Sequence, residues 1–118
     1  MRIFVLMMAI LLSACEPHIP IQKLDGVDDS VLHAADGIKV VSLDEAKQMQ
    51  IVGAVVGHSC KHLLWDPAAT EDAAMRQMKV DAAQSGASAI TAVRCHAKQT
   101  SLGTNCWESV SCAGTALR

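Results

Sequence analysis

Four of the chain's five cysteines lie in its second half, at Cys60, Cys95, Cys106 and Cys112, and three histidines, His58, His62 and His96, stand within two residues of the first two. Sulfur and nitrogen donors in this number open three chemistries. Paired as disulfides, four cysteines staple a small domain in an oxidising compartment, with three connectivities open. As metal ligands, His58, Cys60, His62, Cys95 and His96 include enough donors for a tetrahedral zinc site. That set contains no Cys-x-x-Cys pair, and His58, Cys60 and His62 share a face only if their segment is extended. As a redox centre, a dithiol commonly sits two residues apart at a helix start, and no such spacing occurs. Hydrolysis has no organising pattern either, since there is no Gly-x-Ser-x-Gly elbow and no glycine-rich phosphate loop. The expectation is two disulfides, with no catalytic residue, no metal site and no cofactor.

The fifth cysteine has a different setting. Cys15 closes the apolar run from Ile3 to Ala14, with a single positive charge at Arg2 before it. This is the layout of a secretory signal, and it is shorter than the roughly 20 apolar residues of a spanning helix. Leu12-Ser13-Ala14-Cys15 resembles a bacterial lipobox, which implies cleavage before Cys15 and acylation of its thiol and new amino terminus. Residues 1–14 are then the lipoprotein signal peptide and Cys15 the lipid anchor. Each buried methylene adds about 0.8 kcal/mol, and one myristoyl chain alone binds marginally, so several chains hold essentially permanently. In the lipoprotein sorting code an aspartate after the cysteine usually retains the protein at the inner membrane. Glu16 stands there, so the expected location is the outer membrane, on its periplasmic side.

The donors must be positioned by a short chain. Removing residues 1–14 from 118 leaves 104, enough for one small domain. Aromatics are limited to Phe4, Trp65 and Trp107, so the core must come from Val, Ile, Leu, Met and Ala. The mature segment has nine basic residues against twelve acidic ones, a formal charge of −3, and no basic run, so nucleic acid is not an expected partner.

Residues 15–37, with Pro17, Pro20, Gly26 and Gly37, read as the lipidated cysteine and a tether holding one short helical turn around Ser30–Ala35. Its 22 residues after the cysteine would reach at most about 75 Å. A domain over residues 38–118 follows. Ile38–Val41 reads as a short strand. Ser42-Leu43-Asp44-Glu45 has the form of a capping box, with a helix to about Met49. Gln50–Gly57 reads as a core strand. The main helix begins at Asp66-Pro67 or one turn later at Thr70-Glu71-Asp72, and ends at Ser85 with Gly86 as its stop. Ala74, Met75, Met78 and Ala82 fall on one face, and Val80 breaks the pattern. Ala89–Cys95 reads as a strand, then a long loop with turn-rich Thr100–Asn105, then a strand over Trp107–Leu117. The expected fold is a small disulfide-stapled α+β domain, with one main helix packed on an antiparallel or mixed sheet.

The segment Val52-Gly53-Ala54-Val55-Val56-Gly57-His58-Ser59-Cys60, the helix with Met75-Arg76-Gln77-Met78, the Ala83–Ala89 stretch, and above all Cys95 with Cys106-Trp107-Glu108-Ser109-Val110-Ser111-Cys112-Ala113-Gly114-Thr115-Ala116-Leu117 resemble the RcsF family. These are outer-membrane lipoproteins of the Rcs envelope-stress system. The resemblance implies non-consecutive bridges, Cys60 to Cys106 and Cys95 to Cys112, and no catalysis. It further implies an envelope-stress sensor that relays by contact to an inner-membrane regulator of a phosphorelay. The partners so implied are the outer membrane through the lipid anchor, an outer-membrane barrel protein, and a periplasmic domain of the inner-membrane regulator. The family's tether is long, basic and proline-rich, whereas residues 16–41 here are acidic with prolines only at Pro17 and Pro20. The alternative is a structural or assembly lipoprotein that binds an outer-membrane protein or peptidoglycan.

Overall fold

The computed structural model describes residues 24–101 and 105–118, with the backbone alone for 98–101. Along these the order is α1 (Asp29–Asp36), β1 (Lys39–Val40), α2 (Leu43–Ala46), β2 (Ile51–Lys61), α3 (Glu71–Gln84), β3 (Ala89–Ser101) and β4 (Cys106–Leu117). One mixed sheet has the strand order β1-β3-β4-β2. β4 is antiparallel to both β2 and β3, and β1 runs parallel to β3. The fold is the expected α+β domain, with helices packed on a mixed sheet.

β3 and β4 are the arms of one hairpin, paired from Ala89 opposite Leu117 to Ser101 opposite Cys106, with shifts of register between Thr91 and Arg94, His96 and Gln99, and Gln99 and Ser101. The expected long loop is therefore mostly strand. An antiparallel ladder bonds main chain to main chain, so polar residues at the arm ends join it with no apolar signal. Residues 102–104 of that loop lie outside the described residues. β2 likewise runs four residues beyond the expected Gly57, because His58–Lys61 find partners in Glu108–Ser111.

α2 realises the capping box: Ser42 Oγ accepts from the Glu45 N–H at 3.2 Å and Glu45 Oε2 accepts from the Ser42 N–H at 3.0 Å. It ends at Ala46 rather than near Met49. Gln50 exchanges both backbone hydrogen bonds with Arg118, at 2.9 and 3.0 Å, which commits the chain to extended pairing.

The two candidate starts of α3 resolve to the later one. Thr70 is extended at φ −129°, ψ 152°, and its Oγ1 accepts from the Ala73 N–H at 3.2 Å. Asp66 instead turns the preceding loop, with Oδ2 accepting from the N–H groups of His62 and Leu63 at 3.2 and 2.9 Å. Loss of an N-cap hydroxyl costs about 1 kcal/mol. Thr70→Ala is therefore expected to lower the urea midpoint, and Pro67→Ala to leave it in place; the reverse ranking would return the helix start to Asp66-Pro67. After Gln84 the chain passes Ser85 into Gly86, whose φ of +78° suits a residue without a Cβ.

Ala74, Met78 and Ala82 are fully buried against Val55, Ile90, Val110, Cys112 and Ala116, the expected stripe on the sheet. Val80 is fully buried as well. It lies about 200° around the helix from Met78, away from the sheet. The other element in contact with α3 is α1, whose Ala35 is buried, so α3 has a second covered flank. Residues 29–36 are thus a two-turn helix docked on the folded body, rather than one turn within a tether.

Asp28 caps α1, accepting from the Ser30 hydroxyl at 2.6 Å and the Ser30 N–H at 2.8 Å. The Ser30 side chain first, and its backbone N–H second, hold the Asp28 carboxyl below its ordinary 3.8. A carboxylate lowered by folding stabilises above its unfolded value, and that contribution is lost as pH falls through the folded value. Acidification below that range should shift the α1 chemical shifts towards coil, whereas Asp28→Asn, which caps without titrating, should hold them. Equal behaviour of the two proteins would exclude Asp28 as the cause.

α3 lies across the outer strand β2. Val56 N–H donates to Asp81 Oδ2 and His58 N–H to Gln77 Oε1, each at 3.1 Å, from side chains one helical turn apart. Between them sits Gly57, where an added Cβ would overlap the Ala74 carbonyl oxygen and the Met78 backbone nitrogen. Helix backbone therefore rests directly on strand backbone at this point. No described helix is long and apolar enough to cross a membrane.

Candidate functional site

The four cysteines of the second half form two bridges, Cys60–Cys106 and Cys95–Cys112. Cys95 and Cys112 are opposite each other in the β3–β4 register, with Cα atoms 4.1 Å apart. Cys112 is buried and Cys95 packs on the core, so this bridge lies inside the domain. The other joins the end of β2 to the first residue of β4, Cα to Cα 5.5 Å, and closes a separation of 46 residues. It fixes the loop between β2 and α3 to the hairpin. Cys15 lies outside the described residues.

His62 follows β2 and turns its ring onto the outer bridge. Its Nε2 is 3.4 Å from Cys60 Sγ and its Nδ1 3.2 Å from the Asn105 carbonyl oxygen. Cys60, His62 and Cys106 thus bring three potential ligand atoms within 4.8 Å of one another. With the two sulfurs bonded to each other, neither is a thiolate, and a thiolate is what binds metal. The remaining donors are divided: Cys95 is bridged to Cys112, His96 is exposed on β3, and His58 Nδ1 contacts Ser111 Oγ at 2.8 Å. The extended geometry that would align residues 58, 60 and 62 is largely present, since β2 reaches Lys61, but the bridges have used the sulfur.

His58 and Ser111 are a cross-strand pair in the β2–β4 register. A base hydrogen-bonded to a hydroxyl is one part of a nucleophilic centre, which also needs a third group to orient the base. Among the described residues no carboxylate is hydrogen-bonded to His58.

An open cleft of about 650 Å³ separates the end of β2 from the first turns of α3. His58, His62, Asp66, Asp72 and Arg76 give it both signs of charge, and Leu24 and Asp25 form part of its wall. The chain leading from the amino terminus therefore enters the folded body beside the outer bridge.

Beyond the cleft the loop after β2 presents Leu63, Leu64 and Trp65 to solvent, and Trp107 is exposed next to Cys106. The sequence reading missed this surface. Its signal was the three consecutive apolar residues between the polar pair Lys61-His62 and the turn at Asp66-Pro67, a run that neither helix nor strand periodicity explains.

Among known proteins, the family model described as RcsF lipoprotein matches residues 43–118. The matched segment takes in α2, β2, α3, β3 and β4, and both bridges. No curated protein matches the chain.

Proposed function

Since the chain belongs to the RcsF lipoprotein family, lipoproteins of the Rcs envelope-stress system, we propose that it is a sensor anchored in the outer membrane through acylated Cys15, facing the periplasm, that relays envelope damage by protein contact to the inner-membrane regulator of a phosphorelay. The observation that carries this reading is the family match over the whole cross-linked hairpin and its helix. A rigid domain stapled at two points suits a protein that acts by presenting a surface. The lipobox supports the anchor, and a barrel protein of the outer membrane is a further partner by family analogy.

The docked α1 and the position of Leu24 shorten the free connection. Nine peptide steps separate Cys15 from Leu24, a reach of at most about 32 Å rather than the 75 Å of a tether running to Gly37. A sensor on so short a connection stays near its own leaflet, and the regulator's periplasmic domain must come to it.

Deleting the chain should abolish induction of an Rcs-dependent reporter by outer-membrane damage, and Cys15→Ser should both release the protein from the membrane fraction and fail to restore induction. An unchanged response in the deletion strain would refute the sensor role. Crosslinking distinguishes the structural or assembly alternative, in which the chain contacts outer-membrane protein or peptidoglycan and never the inner-membrane regulator.

A further inference from the structure

Among the exposed apolar side chains, which also include Val40, Leu43, Ile51 and Val56, four lie together at one end of the sheet. Leu63, Leu64 and Trp65 are 47, 81 and 81 % exposed on the loop after β2, and Trp107 is 66 % exposed beside the bridged Cys106. The Cys60–Cys106 bond holds the two segments at the same end of the sheet. The loop has internal structure: Asp66 accepts from the N–H groups of His62 and Leu63, and its own N–H donates to the Leu63 carbonyl at 3.1 Å. Leu64 and Trp65 are thus presented at the outside of a closed turn.

This is also the end at which the amino-terminal chain arrives, because Leu24 and Asp25 share the cleft wall with His62 and Asp66. The reach of at most about 32 Å from Cys15 to Leu24 keeps the anchor and this tip within one small neighbourhood. Tryptophan concentrates at the membrane–water interface, where its ring is apolar and its N–H still finds a hydrogen-bond acceptor. Among the described residues Lys61 and Arg76 are the cations near this end, beside Asp66 and Asp72, so the attraction proposed is apolar rather than electrostatic. A few such side chains bind a bilayer weakly on their own, but a short covalent connection converts the second contact into an intramolecular one at high effective concentration.

We propose that the Leu63–Trp65 loop, with Trp107 at the same end, docks on the phospholipid surface that receives the acyl chains of Cys15; the inference rests on the anchor reading above. Docking gives the domain a fixed orientation, with the cleft towards the lipid and the β1 side of the sheet away from it.

The test uses full-length acylated protein reconstituted into vesicles of phosphatidylethanolamine and phosphatidylglycerol, with and without bromine on the acyl chains. The chain has two tryptophans, so Trp107→Phe leaves Trp65 as the sole reporter. The expected result is that the protein floats with the vesicles, that bromine removes about half of the Trp65 emission, and that Leu64→Asp restores it. Flotation and an acylated Cys15 by mass, with emission unaffected by bromine, would overturn the docking and leave the anchor standing. An unacylated Cys15 would overturn both. Trp65 protected from acrylamide in native envelopes but unquenched by brominated lipid would assign the loop to a protein partner, and overturn the proposal.

Discussion

Gly57→Ala is expected to destabilise the domain by about 3 kcal/mol or more, on the scale of overpacking a rigid site, and Gly57→Val to leave it unfolded. The Cβ itself makes the conflict, and it meets the Ala74 carbonyl oxygen and the Met78 backbone nitrogen rather than the movable end of a side chain. Relief requires α3 to lift from β2. That movement lengthens the bonds from Val56 to Asp81 and from His58 to Gln77, and opens the contact of Ala74 and Met78 with the core. For a domain near 100 residues, 3 kcal/mol corresponds to a fall in Tm of roughly 12 to 24 °C. Gly53 is the internal control, because a Cβ there meets nothing within 4 Å. Equal urea midpoints for Gly57→Ala and Gly53→Ala would show that α3 does not rest on β2 as described.

Reduction of both bridges is expected to abolish cooperative unfolding. Closing separations of 46 and 17 residues is worth about 4 and 3 kcal/mol in the chain-entropy account. A typical domain has a total stability of about 5 to 15 kcal/mol, so losing both removes a large share of it. The two bridges contribute differently. Cys60–Cys106 acts mainly on the unfolded chain, while Cys95–Cys112 also fills the core beneath α3, so Cys95→Ala with Cys112→Ala loses packing besides the cross-link. Circular dichroism and protease resistance before and after strong reductant provide the measurement. Retention of both signals in the reduced protein would remove the structural role assigned to the bridges.

Local features were the legible ones. The Ser42–Glu45 capping box, Thr70 as one of two candidate starts, the Gly86 stop and the Ala74–Met78–Ala82 stripe each depend on residues three or four apart, which a single sequence displays. Val80 was not legible, because its burial depends on a second helix more than 40 positions earlier. The extension of β2 through polar His58–Lys61 depends on cross-strand partners, as does the extent of the β3–β4 hairpin. The need for glycine at position 57 lies in a helix backbone 17 residues and more downstream. Four cysteines establish that bridges are available and leave three pairings open; the resemblance, not the residues themselves, pointed to one of them. For the zinc alternative, the extended geometry at residues 58–61 is present, and the sulfur atoms of Cys60 and Cys95 are bonded in the bridges.

The seal of α3 on β2 has a consequence for life on a surface. If the chain is anchored as proposed, its copies share two dimensions, where encounters are frequent and orientations restricted, and an open sheet edge is a template for lateral strand addition. On one side of this sheet the outward amides of Val56 and His58 are already engaged by Asp81 and Gln77, and on the other β1 is two residues long. Strand addition is therefore hindered at Val56 and His58 on one side and by the short β1 on the other. Asp81→Ala with Gln77→Ala would free those two amides, while the α3 backbone still rests on β2 at Gly57.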